Sequence, residues 1–271
     1  MRDVPVQTSD ADADRSAHAA AGDHALPETA VGDDIQLPTR RWTFGRGTAA
    51  HFDQHVAKSV PGYDDGHALV EELSDFFVGD GGRIIEVGCS TGTLISRLAR
   101  RHEAVDAEFL GVDVADDMVQ VARERCKDQA NVHIEIVDAR RVDYTDACLV
   151  VMYYTLQFIP LWQRGALLER IRREMRLGGA IILFEKTRLP DGMLQDICNQ
   201  VYDTYKLARG FSAEEVLGKT RSLRGVLQPS TSAENMALLR RAGFSEPHVI
   251  YRQLAFEGLV AVKPFVDATR G

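Results

Sequence analysis

Apolar residues fall along most of this chain in two alternating rhythms. From residue 83 onward, short runs rich in Ile, Val, Leu and Phe alternate with stretches whose apolar positions recur three and four apart. The short runs predict strands at Arg83–Val87, Phe109–Val112, Val132–Val137, Cys148–Met152 and Gly179–Phe184. The longer stretches predict helices at Thr93–Arg101, Ala115–Cys126 and Trp162–Met175. Strand and helix alternating at this spacing make parallel β-α-β units, wound on both faces of one sheet. The expected architecture is therefore α/β, a doubly wound, mostly parallel seven-stranded sheet.

Outside this region the rhythm changes. Upstream, Thr48–Ser59 reads as a short amphipathic helix, and Asp65–Val78 as a longer one with Leu69, Leu73, Phe76 and Phe77 on one face. Downstream, a helical insertion over about 189–228 holds Gly192–Lys206 and Ser212–Arg224. Thr231-Ser232-Ala233-Glu234 then has the form of a capping box opening a last helix, with Gly243 as its stop. His248–Arg252 and Gly258–Lys263 are predicted as closing strands, antiparallel because only a short turn joins them. Residues 1–38 have no aromatic residue and no apolar period, so they are expected to be a disordered tail in front of one domain over 39–271.

Composition narrows the function classes. A net charge of −8 argues against general affinity for nucleic acid or an anionic membrane. No apolar run reaches the roughly 20 residues of a membrane span. The start lacks the apolar core of a signal peptide. The four cysteines, at 89, 126, 148 and 198, show no metal spacing. A cytoplasmic protein with reduced thiols and no metal is expected.

The chemistry-bearing positions sit where strands end. Glu86-Val87-Gly88-Cys89-Ser90-Thr91-Gly92 follows the first strand of the alternating region and opens a helix. Its glycines permit close backbone approach, and the helix start offers free N–H groups to a ligand. Asp113 ends the next strand, where a carboxylate can accept both hydroxyls of a ribose or cap the following helix. Asp138, followed by Ala139, ends the third and can accept from an exocyclic adenine amine. Val114 and Met118 can give that ring apolar faces. Serine at position 90 breaks the Gly-x-Gly-x-x-Gly form of a dinucleotide site.

These residues carry a resemblance. The chain resembles the class I S-adenosylmethionine-dependent methyltransferases, with their Rossmann-like fold, and more specifically the carboxy-S-adenosylmethionine synthases. The matching stretches are Ser59-Val60-Pro61-Gly62-Tyr63, Gly88-Cys89-Ser90, Thr155-Leu156-Gln157-Phe158, Glu185-Lys186, Gly210-Phe211-Ser212 and Ala242-Gly243-Phe244, within about residues 42–263. The resemblance implies S-adenosylmethionine as cofactor, held by Tyr63, Gly88, Cys89, Ser90, Asp113, Val114, Asp138 and Ala139. It also implies a homodimer built partly on the insertion. Members of that family convert S-adenosylmethionine and prephenate to a carboxylated cofactor ahead of a tRNA modification. Two positions depart from the pattern: Tyr153 stands where asparagine is expected, and Thr220 where arginine is expected. In the family both hold the added carboxylate, so the carboxylated product is not expected here.

Tyr63, Tyr153, Tyr154, Tyr202 and Tyr205 cluster near the expected pocket. An aromatic face steadies a sulfonium by about 0.5–2 kcal/mol, although each ring alone fits core packing as well. Tyr153, Tyr202 and Tyr205 are the candidate catalytic residues, and Glu86 and Met118 join Tyr153 among the candidate cofactor contacts. Glu185-Lys186 reads as a base or clamp, or, with more weight, as a buried ion pair that holds the insertion. His51, His55 and His67 read as surface or edge residues, and Arg170, Arg172, Arg173 and Arg176 as an exposed helix face. The expected activity is methyl transfer to a small-molecule acceptor. The alternatives are cyclisation of the cofactor to azetidine-2-carboxylate and methylthioadenosine, carboxy-S-adenosylmethionine synthesis, or a non-catalytic cofactor-binding subunit.

Overall fold

The computed structural model describes residues 28–31, 33, 36–38, 49 and 51–265. Strands β1 (Glu28–Ala30) and β2 (Gln36–Pro38) pair antiparallel, and helices α1 (Phe52–Ser59) and α2 (Tyr63–Ser74) follow. The alternating region comprises β3 (Gly82–Val87), α3 (Thr93–Arg101), β4 (Ala107–Asp113), α4 (Asp116–Cys126), β5 (Val132–Ile136), β6 (Leu149–Tyr153), α5 (Leu161–Glu174) and β7 (Ala180–Lys186). Then come α6 (Gly192–Ala208) and α7 (Ala213–Ser222), followed by α8 (Ser232–Arg241), β8 (His248–Gln253) and β9 (Phe256–Val262).

The seven-stranded sheet has the order β5-β4-β3-β6-β7-β9-β8. Strands β3 to β7 run parallel, while β9 is antiparallel to both β7 and β8, the second pairing being the one the short turn between the last strands requires. Strand β6 and residues 180–184 of β7 are continuous apolar runs because helices cover both of their faces. Alternate residues supply two cores. Val150, Met152, Ile181 and Leu183 pack with Leu167, Leu168 and Ile171 of α5 and Leu239 of α8. On the other face, Val151, Ile182 and Phe184 pack with Leu94, Ile95 and Leu98 of α3 and Val119 of α4. After β5 the chain crosses back to place β6 beside β3. The carboxyl ends of β3 and β6 thus flank the switch point where open α/β sheets bind ligands.

The tail expected over 1–38 needs correction at its end. Strand β1 of the hairpin packs against α7, and Val31 is fully buried. Asp33, in the turn, accepts a hydrogen bond from His55 Nδ1 at 3.1 Å and pairs with Lys58. A two-stranded hairpin is marginal alone, so it forms by leaning on helices distant in sequence, which a local period cannot reveal. Residues 1–27 lie outside the described residues. Helix α2 also ends sooner than its period suggests. It stops at Ser74, whose Oγ donates to Glu71 O, leaving Phe76 82% exposed in the turn beyond.

Candidate functional site

The loop after β3 is built by backbone constraint. Gly88 has φ +76°, and a Cβ there would meet Thr155 Oγ1 at 2.3 Å, so only glycine lets the β6 loop come this close. The N–H groups of Gly88 and Cys89 both donate to Val112 O, at 2.7 and 3.0 Å. Ser90, at φ +49°, donates its N–H to Asp113 Oδ2 at 2.9 Å, and Ala115 N–H donates to Oδ1 at 2.9 Å. Asp113 therefore locks the loop and the start of α4. Burial pushes the Asp113 pKa up despite these bonds.

Glu86 is 3% exposed, and its Oε2 is buried without a hydrogen-bond partner. Burial drives its pKa well above the ordinary carboxyl value, opposed by the Ile95 N–H. Asp138 behaves oppositely. Arg140 donates to it from Nε at 2.8 Å and Nη2 at 2.5 Å, which holds its pKa low and the carboxylate ionised.

These strand ends open into a cavity of about 700 Å³, within the range that suits a cofactor and a small second molecule. Its lining brings together Tyr63, Glu86, Gly88, Cys89, Ser90, Asp113, Val114, Asp138, Ala139, Tyr153 and Tyr202. Val114 sits at the lip, 66% exposed. Two expected residues are elsewhere. Met118 is fully buried with Ala49 and Phe52, because it faces α1 across α4. Tyr205 is outside the lining, its ring stacked on Tyr202 at 6.4 Å with the Arg209 guanidinium 4.3 Å from its centroid.

The aromatic residues form a wall. The Tyr63 and Tyr154 rings are nearly parallel at 6.2 Å, with Tyr153 edge-on to each at 5.1 and 4.9 Å. Tyr153 Oη donates to Tyr63 O at 2.6 Å. Helix α2 makes room for that hydroxyl with Gly66, whose added Cβ would lie 2.2 Å from it. Burial pushes both phenols, Tyr153 and Tyr154, far above their ordinary pKa, so they act as neutral donors rather than bases. Tyr154 has φ +59°, a strained conformation for a large side chain, and its hydroxyl is buried with no partner.

The roof carries cations. Lys186 and Lys219 both line the cavity. Burial, reinforced by Lys206, lowers Lys186 to about 8; burial, then Lys206 and Lys186, lowers Lys219 to about 7. The ammonium groups of Lys186 and Lys206 lie 4.6 and 4.4 Å from the Tyr202 centroid, and Tyr202 Oη donates to Ser59 O. That ring is already committed to two cations, not reserved for a sulfonium. The ion pair expected between Glu185 and Lys186 does not form, because neighbouring strand residues point to opposite faces. Glu185 instead accepts from Leu156 N–H at 2.9 Å, and burial, opposed by Arg164, raises its pKa to about 8.

Thr220 Oγ1 donates back to Val216 O at 3.0 Å within α7, and Arg221 is exposed and absent from the lining. The arginine face expected on α5 is also partly engaged: Arg170 donates to Glu174 at 2.8 Å and lies 5.7 Å from the Tyr144 centroid. His55 and His67, read as surface residues, are 2% and 1% exposed. The usable signal was the spacing of Phe52, His55 and Ser59, which share one face of α1.

A methyltransferase domain family matches residues 84–179. The carboxy-S-adenosyl-L-methionine synthase of Staphylococcus epidermidis is 35% identical over 227 residues, covering 82% of this chain and 97% of that enzyme. That of Sulfurimonas denitrificans is 30% identical, covering 83% and 95%. The chain belongs to the carboxy-S-adenosyl-L-methionine synthase family. Solved structures agree on the fold. Human N-acetylserotonin methyltransferase in complex with S-adenosylmethionine superposes with a TM-score of 0.55 at 19% identity, over 80% of this chain and 56% of that one. An S-adenosylmethionine-dependent methyltransferase from Methanosarcina mazei gives 0.54 at 14% identity, over 72% and 98%.

As a member of this family the protein is an S-adenosylmethionine-dependent transferase. The cavity fits that cofactor on its own terms. Three acids end three adjacent strands, a glycine loop lies beneath them, and the orphaned Glu86 oxygen marks a polar group awaiting a partner. Among the described residues no group of three or more His, Cys, Asp or Glu is placed to hold a metal.

Proposed function

We propose that the protein transfers the methyl group of S-adenosylmethionine to a small acceptor that carries a carboxylate. When bound, the cofactor supplies an electrophilic carbon on a sulfonium. Asp113 accepts the ribose hydroxyls, Asp138 the adenine amine, and Val114 and Ala139 border the ring. Glu86 offers its unpartnered Oε2 to the cofactor. Tyr63, Tyr153 and Tyr154 wall off water and offer ring faces to positive charge. With no metal or covalent step in this reading, rate comes chiefly from holding a nucleophile in line with the carbon.

Lys186 carries this reading. Its ammonium meets the Tyr202 and Phe256 rings and has no carboxylate at ion-pair distance among the described residues. A desolvated cation facing a cavity is best matched by an anion. The test mixes the protein with methyl-¹³C S-adenosylmethionine and, one at a time, small carboxylic acids bearing an amine or hydroxyl, then reads products by mass spectrometry. Labelled acid with S-adenosylhomocysteine is the expected result. A cofactor that stays intact with every acid refutes the reading.

A second reading, ring closure within the cofactor, is favoured by Tyr153. Tyr153 stands in the aromatic wall where the family has asparagine, and its bulk would press the methionine part into a folded shape. Methylthioadenosine formed from the cofactor alone identifies that outcome. The reaction named for the relatives would appear as a carboxylated cofactor in the presence of prephenate; Thr220, its hydroxyl turned to its own helix, weighs against it.

We further propose a cytoplasmic homodimer. Met193, Leu194, Ile197 and Val201 form an exposed apolar stretch on α6, which supports an interface on the insertion. No described helix is long and apolar enough to cross a membrane, and all four cysteines are free and buried. Sedimentation of the purified chain reads the assembly directly.

A further inference from the structure

The hairpin at the start of the described chain reaches the cavity through two side chains. Asp33 Oδ2 lies 3.1 Å from His55 Nδ1, His55 Nε2 lies 2.7 Å from Lys219 Nζ, and Lys219 also donates to Ser59 Oγ at 2.9 Å. The hydrogen positions follow from charge. Burial works against the Asp33 carboxylate, but Lys58 and His55 outweigh it and hold its pKa below the ordinary value. With no proton of its own, Asp33 can only accept, so His55 Nδ1 carries the ring hydrogen. Burial, then the nearby Lys219, lowers His55 to about 3, so the ring is neutral and Nε2 is an acceptor. Lys219 therefore donates to Nε2. Its position at the cavity is set by a chain of contacts that begins at Asp33, far upstream in the sequence.

We propose that Asp33, His55 and Lys219 form a relay that presents the Lys219 amine to the cavity as the acceptor of the proton released when a nucleophile is alkylated, which makes the N-terminal hairpin part of the site. The proposal rests on the reading of the cavity as an alkyl-transfer site. The step balances: a nucleophile–carbon bond forms, the carbon–sulfur bond breaks with its electron pair left on sulfur, and the nucleophile's proton moves to the Lys219 lone pair. The resulting ammonium is steadied by His55 Nε2 and Ser59 Oγ until it loses the proton to solvent. The same balance serves an external amine and the cofactor's own amine. Asp33 and His55 are positioning residues in this scheme.

The groups facing Lys219 fit the task. His55 and Ser59 approach from α1, Asp33 from the hairpin turn, Lys206 from α6 and Lys186 from β7; Lys58 adds a further positive charge near His55. Two lysines and burial press Lys219 toward its neutral form, and Asp33 opposes them. An amine poised near neutrality is suited to accept a proton under working conditions.

The test titrates ¹⁵N-lysine-labelled full chain by NMR, with the Lys219 signal assigned by its loss in Lys219→Met. Lys219 is expected to titrate near 7, and Asp33→Asn to move that titration to lower pH, because a stabilising negative charge is gone. His55→Gln keeps an acceptor for the amine but severs the link, so adding Asp33→Asn to it should move Lys219 less than Asp33→Asn does in the parent. The rising limb of cofactor consumption with pH should follow the same shift. Lys219→Met should lower kcat on the order of 100-fold with little change in KM for S-adenosylmethionine. A Lys219 that titrates like an ordinary lysine, or one that is unmoved by Asp33→Asn, overturns the relay. The NMR titration needs no turnover, so it separates failure of the relay from failure of the proposed reaction.

Discussion

Gly66→Ala tests how the aromatic wall is seated. Gly66 lies on α2 opposite Tyr153, and a Cβ there would sit 2.2 Å from Tyr153 Oη and 2.9 Å from Phe184 Cε1. The hydroxyl cannot simply retreat, because it donates to Tyr63 O at 2.6 Å. Overpacking a filled core costs about 1–3 kcal/mol. Displacing the hydroxyl leaves buried polar atoms unpaired for a further ~1–3 kcal/mol. Against this, alanine is better than glycine within a helix by about 1 kcal/mol. The net expectation is a loss of about 1–5 kcal/mol, read from urea unfolding midpoints at constant slope. Tyr153→Phe removes the atom in the way, so the double variant should recover about 1–3 kcal/mol relative to the sum of the single changes. A Gly66→Ala protein as stable as the parent, or a pair additive within about 0.5 kcal/mol, refutes the packing account of Tyr153.

Asp113→Ala should weaken S-adenosylmethionine binding by about 1.5–3 kcal/mol, and calorimetry with unchanged affinity removes Asp113 from the ribose site. Lys186→Met should stabilise the fold at pH 7. The lysine's pKa falls to about 8 in the folded state from 10.5, so its charge costs stability in full below pH 8. That cost fades as pH rises toward 10.5, and the advantage of the Met variant should close over that window in urea titrations; a parent more stable at pH 7 contradicts the assignment. Tyr154→Phe removes a buried hydroxyl that has no partner, so stability should hold or rise while ligand affinity falls; unchanged affinity means the hydroxyl meets no ligand. Tyr153→Asn with Thr220→Arg should yield some carboxylated cofactor from prephenate where neither change alone does, by mass spectrometry; a parent that already makes it reverses the reading of both positions.

The two periods of the chain determined most of the architecture, because local burial dictates them. Strand β6 and residues 180–184 of β7 are apolar since both faces are covered, and Thr231 with Glu234 forms the capping box that their spacing announces. The strand-end acids were legible for the same reason: in a parallel sheet, the last residue of each strand has a fixed place at the ligand crevice. Contacts between distant segments were not legible. His55 looks like a surface residue until α7 and the hairpin close over it, and Asp33 lies where the local sequence has no period at all. Glu185 and Lys186 are neighbours in sequence, yet the pleat sends them to opposite sides of the sheet, one to the β6 loop and one to the cavity. Met118 has the right spacing for the cavity, but the turn of α4 aims it at α1. Periodicity reports how much of a side chain is buried. Only the closing of distant elements on one another decides what it is buried against, and the chemistry of this site depends on that.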